Sequence, residues 1–209
     1  MLPLLLLFPL TLALANPLLP WQITHLGTHS PSGRAGNSPY SSLFLSITDP
    51  NTLSLGRTRS GPALFPPSTV NCTLKWLAYG GEQPYGRATP CTAIGHGRWT
   101  VEMVRANHSG YGGSGTTDFV VGLRLEESII LNEGAVSLVF GGAQGFWLST
   151  EDGNLFGSCG GSGVCNWGLK NGTVLVTQEL VEARCLGNTG CVKIPDFEVL
   201  PGGLSGEGD

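Results

Sequence analysis

Charge is scarce in this chain. Asp, Glu, Lys and Arg together make up 12% of its 209 residues. Lysine occurs three times, at Lys75, Lys170 and Lys193, well apart from one another. With a net charge of −4 and no basic patch, the chain would not be drawn to nucleic acid or to an anionic membrane. Sustained helical periodicity is missing too. No window of helix length repeats its apolar residues at about 3.6 positions, which argues against a helical fold.

Several chemical signatures are absent as well. There is no C-x-x-C pair for a thiolate metal knuckle or a redox centre. Ser114 and Ser162 lie among glycines, but neither completes G-x-S-x-G, so no nucleophile elbow is expected. No phosphate-binding or dinucleotide fingerprint occurs. His25 and His29 are four apart, a ligand spacing only on a helix, and this segment reads as strand running into loop. His96 and His108 read as surface or loop histidines. A copper oxidase of polysaccharides would need histidine at the mature N-terminus, where Asn16 is expected. No cofactor and no metal is expected.

Long apolar runs are confined to the start, MLPLLLLFPLTLALA. This stretch, with its small-x-small end at Ala13-Leu14-Ala15, predicts a signal peptide over 1–15. Asn16, Pro17 and Pro20 interrupt it before it reaches membrane-spanning length. The C-terminal PGGLSGEGD has no lipid-anchor signal. The expected organisation is a signal peptide over 1–15, one secreted β domain over 16–200 and a flexible tail over 201–209. The product is expected in the extracellular space, with no membrane partner.

What the chain has in quantity is glycine, 32 residues, and short alternating segments. SSLFLSIT turns Leu43, Leu45 and Ile47 to one face, and Asp49-Pro50-Asn51 ends it. VNCTLKWL does the same with Val70, Cys72, Leu74 and Trp76, RWTVEMV with Trp99, Val101 and Met103, and DFVVGLRL with Phe119, Val121, Leu123 and Leu125. WQITHL, AVSLVF, GFWLST, TVLVTQELV (173–181) and VKIPDFEVL complete a set of eight to ten short strands, with LGRTRSGPALFPPS read as a loose connection. The fold class is all-β: a single-domain antiparallel barrel or sandwich.

Six cysteines, Cys72, Cys91, Cys159, Cys165, Cys185 and Cys191, are an even number in an oxidising compartment and read as disulfide staples. Cys72 and Cys91 lie far from the others and are expected to pair. The remaining four could close the local loops 159–165 and 185–191 or cross-link them. Sequons at Asn107, Asn171 and Asn71 are glycosylation candidates. Asn71 is the weakest, lying in a strand with a half-cystine as its middle residue. Tyr79, Tyr85 and Tyr111, in Gly/Pro loops, are candidate binding aromatics for a sugar or a protein. Glu102, Glu151 and Asp152 are the acids considered for hydrolysis, which needs two carboxyls across a bond. They read equally well as solvated rim residues.

The early WQITHL, LFLSITDP and the pair NCTLKW…PC resemble the Alternaria major-allergen-like β-barrel family of small secreted fungal proteins. The resemblance rests on Trp21, Ile23, Cys72 and Cys91 and spans about the first half of the mature chain. It implies a non-enzymatic β-barrel, with members acting as effectors or elicitors toward plants, and no catalytic residues. The two C-x5-C loops depart from that pattern, as does the lack of an extra N-terminal cysteine for dimer linkage. The expected function is binding to a host protein or a cell-wall glycan. The alternatives are a cell-wall polysaccharide hydrolase and a passive structural wall protein.

Overall fold

The computed structural model describes residues 17–81, 83–106, 114–132, 134–186 and 197–200. The expected signal peptide, the tail over 201–209, Asn107, Tyr111 and Cys191 lie outside them. The strands are β1 (Trp21–Ser30), β2 (Tyr40–Asp49), β3 (Thr52–Thr58), β4 (Gly61–Phe65), β5 (Ser68–Leu77), β6 (Thr89–Pro90) and β7 (Gly97–Arg105). They continue with β8 (Asp118–Leu131), β9 (Gly134–Trp147), β10 (Leu155–Cys159), β11 (Cys165–Leu169), β12 (Val174–Val176), β13 (Glu179–Leu186) and β14 (Glu198–Leu200).

Alternation explains why these segments are strands. In β5, Ser68, Val70, Cys72, Leu74 and Trp76 are buried while Thr69, Asn71, Thr73 and Lys75 face water. β1 contains a bulge between Ile23 and His25, which leaves both Thr24 and His25 exposed. The bulge keeps Leu26 and Thr28 on the same inner face as Trp21 and Ile23.

Three antiparallel sheets result. The first runs β10-β11-β1-β2-β5, with β12 also paired to β1. The second runs β13-β9-β8-β7-β6 and the third β14-β3-β4. The all-β fold is therefore a stapled sandwich, and among the described residues no sheet closes into a barrel. The reason is visible where β5 approaches β6. Only two residues of β6 pair, and Pro90 has no N–H to give to a ladder. The Cys72–Cys91 disulfide bridges that seam instead. Beside it, Thr92 N donates to Asn71 O at 2.9 Å and Asn71 N to Thr92 Oγ1 at 3.1 Å. A second disulfide, Cys159–Cys165, closes the β10–β11 hairpin locally. Cys185 is also disulfide-bonded.

At the waist, the indoles of Trp21 and Trp99 meet edge-to-face across the two large sheets, with centroids 4.7 Å apart and planes at 61°. Both are fully buried. Trp21 Nε1 donates to Asp49 Oδ2 at 3.1 Å and Trp99 Nε1 to Ser68 Oγ at 3.4 Å. Such a ring pair contributes about 0.5–1.5 kcal/mol beyond its buried area.

Four segments differ from the sequence expectation. The stretch read as loose, 55–68, holds most of β3 and all of β4, a hairpin in which it buries Leu55, Ala63 and Phe65. Its Pro62 sits on the edge strand β4, where the missing N–H costs no ladder bond. GFWLST is not a separate strand: its first three residues finish β9. TVLVTQELV divides between β12 in the first sheet and β13 in the second, with Gln178 buried at the crossing and its amide donating to Leu19 O at 2.6 Å. Gly142 permits that crossing, since a Cβ there would lie 2.6 Å from Thr177 O. Finally, β8 and β9 each run 14 residues, longer than the expected short strands.

A buried acid meets a partly exposed histidine beside the third sheet. Glu127 points into the core near the end of β8, 3% exposed, with Oε1 3.3 Å from His96 Nε2. Burial and the nearby negative Asp49 push the Glu127 carboxyl up to about 8. Burial also pulls the His96 imidazole down. Both shifts favour the uncharged forms of the two partners.

The sign of the pH effect follows. Glu127 holds its proton more tightly folded than unfolded, so its stabilising contribution is full below about pH 4.5 and declines as pH rises toward 8. The expected loss is up to a few kcal/mol. Thermal denaturation across this range should show a falling midpoint that Glu127→Gln flattens. An unchanged slope in that variant would remove Glu127 as the cause. Cys72→Ser with Cys91→Ser should cost about 3 kcal/mol, from the freed 19-residue separation, read by denaturant unfolding.

Candidate functional site

At one end of the sandwich, the ends of β1 and β5 meet the start of β2 and the approach to β8. β5 ends on Trp76 and Leu77, and the chain turns through Tyr79 before crossing toward the second sheet. Tyr85 makes a single parallel bridge to Met103 of β7. Together with buried Pro84, these rings line a groove of about 230 Å3. Its polar lining is Ser30, Ser41, Gln83, Ser114 and Thr116. None of the described lining residues is charged.

The walls are held from behind. Thr28 Oγ1 donates to Thr116 O at 2.8 Å, tying the segment before β8 to β1. Thr117 N and Asp118 N both donate to Ser114 O, at 3.0 and 2.9 Å, which makes that segment a tight turn. Gly115 fits against the floor with no room for a side chain. A Cβ there would lie 2.9 Å from Pro84 Cγ and 3.1 Å from Trp76 Cζ2.

Tyr79 is 61% exposed yet fixed at both ends. Its hydroxyl donates to Pro31 O at 3.1 Å. Gly33, at φ +72°, approaches the ring so closely that a Cβ would lie 3.0 Å from it. Tyr85 is half-buried, with the Arg105 guanidinium 4.9 Å from its ring centroid. Burial raises the Tyr85 phenol's pKa, Arg105 opposes this and Asp118 adds to it.

The structure thus brings Tyr79 and Tyr85 to one groove; Tyr111 falls outside the described residues. Asn171 is exposed in the turn between β11 and β12. Asn71 is exposed mid-strand on β5, its Oδ1 accepting from Ser46 Oγ at 2.6 Å. Glu102 lies on the outer face of β7. Glu151 and Asp152 lie in the β9–β10 connection, where Ser149 and Trp147 hydrogen bonds lower the Asp152 pKa. Trp76 and Trp99 are core as expected. His96 lies in the turn before β7, partly exposed, with its ring stacked on Phe65 at a centroid distance of 6.3 Å. Among the described residues no three His, Cys, Asp or Glu side chains gather as a metal site.

The chain matches no family model. No curated protein and no solved structure matches it significantly either.

Gly115→Ala should cost about 1–3 kcal/mol by overpacking Pro84 and Trp76. Thermal denaturation with tryptophan fluorescence would register both the loss and the disturbed indole. A variant as stable as the parent, with an unmoved spectrum, would show that the floor has slack.

Proposed function

We propose that this chain is a secreted, non-enzymatic binding protein, effector- or elicitor-like, that meets its target through the groove between Tyr79 and Tyr85. One observation carries the reading: an exposed tyrosine held rigidly at the mouth of a groove with hydroxyl and amide walls. Rigid aromatics lose little conformational freedom on contact, which suits them to recognition. The apolar first segment and the disulfides support export. The resemblance to the Alternaria major-allergen-like proteins supports binding without catalysis.

A polysaccharide hydrolase is the second reading. It would need two carboxyls facing a bond, and no carboxylate is found among the described residues lining this groove. A passive structural wall protein is the third, and it would not need a preorganised tyrosine.

The test is incubation of the mature protein with cell-wall polysaccharides and with purified host surface proteins, measuring depletion from solution and new reducing ends. The expected result is saturable depletion, weakened by Tyr79→Ala, with no reducing ends released. Release of reducing ends would make it a hydrolase. Depletion indifferent to Tyr79→Ala would move the site elsewhere.

A further inference from the structure

We infer that the groove takes a neutral saccharide, one ring of an oligosaccharide seated on Tyr79 with its hydroxyls met by Ser30, Gln83 and Ser114. This rests on the binding reading above and names its ligand class. A sugar ring has an apolar C–H face and a rim of hydroxyls that both donate and accept. The groove surface is almost wholly polar and suits the hydroxyls, while the exposed Tyr79 ring suits the C–H face. Tyr79 supplies an apolar surface, already locked by the Pro31 carbonyl and by Gly33, so little freedom is lost when a ring stacks on it. Serine hydroxyls and the Gln83 amide each donate and accept, which a sugar hydroxyl requires and a purely acidic or basic wall would not provide.

Other ligand classes fit less well. A charged ligand finds no charge among the described lining residues, and the nearby Arg105 guanidinium is already set against the Tyr85 ring. An anchoring peptide side chain would need a deep apolar hole. Trp76, 6% exposed, and buried Pro84 already fill the floor, pressed together over Gly115. At about 230 Å3 the groove is smaller than the roughly 300–1,000 Å3 that encloses a drug-sized ligand. It therefore grips a unit of a longer chain whose neighbours stay in water.

The experiment is titration of the full mature protein with short neutral β-glucan and mannan oligosaccharides. Chitosan and galacturonate oligomers serve as positively and negatively charged comparisons, alongside the host proteins tested above. Binding of a neutral series is expected, weakened about tenfold or more in Tyr79→Ala. Tyr79→Phe, which keeps the ring and loses the bond to Pro31, should weaken it only a few-fold. Ile130→Ser, at the opposite end of β8 and 77% exposed, should leave it unchanged. Matching thermal midpoints would show that Tyr79→Ala is folded, and if it is not, Tyr79→Phe and Gln83→Ala carry the test. A protein or charged oligomer bound in a Tyr79-dependent way, with no neutral sugar bound, would overturn the saccharide assignment and leave the groove as a binding site. Neutral sugar binding indifferent to Tyr79 and Gln83 would overturn the location. No binding of any probe would overturn both.

Discussion

The contact between Trp21 and Trp99 is what the two large sheets are built around. Each indole comes from a strand near the middle of its sheet, and each spends its one N–H on a partner beside the core. The Cys72–Cys91 disulfide at the edge and the shared apolar core hold the same two layers together around this contact. Trp21 passes that constraint on through Asp49, whose other oxygen accepts from the Asn51 amide and backbone N–H. That arrangement fixes the turn from β2 into β3, and so places the small third sheet over Glu127 and His96. Packing at the waist thus bears on where Glu127 meets His96.

Much of the fold was legible in residue alternation. Wherever a strand buries one face and wets the other, as in β2, β5, β7 and the first half of β8, the period of two named the inward residues correctly. It failed where side chains were small or interrupted. The Gly141-Gly142-Ala143 stretch of β9 carries no pattern to read, and the β3–β4 hairpin hides two buried pairs among Gly, Pro and Arg. It also could not show a strand changing sheets, because β12 and β13 look continuous in sequence and part only where Gln178 finds the Leu19 carbonyl. Sandwich and barrel were indistinguishable by period; the two-residue β6 with its proline decided between them.

The site was half legible. Loop tyrosines suggested recognition, but nothing in their spacing said that Tyr79 and Tyr85 would share a groove. That depends on β5 ending beside the loop tied to β1 through Thr28, a pairing 88 residues apart. Glu127 and His96 were invisible as partners for the same reason. Glu127 continues the inward parity of Phe119, Val121, Leu123 and Leu125 along β8, yet a glutamate there looks like a solvated rim charge until the third sheet covers it. The groove's aromatic and hydroxyl character, set against the charged outer face of the second sheet around Arg98, Arg124 and Glu182, gives the molecule two chemically distinct surfaces.

The connectivity of the first sheet carries a consequence for how the chain matures. β7, β8 and β9 are sequential neighbours and can zip up as soon as they emerge. β1, by contrast, has β11 and β12 as its partners on one side, so the N-terminal strand cannot be completed until residue 176 exists. Long-range pairing of this kind folds slowly, on roughly the millisecond-to-second scale of other β sandwiches. For most of its synthesis the Trp21 strand therefore keeps an open edge on the side that β11 and β12 later fill.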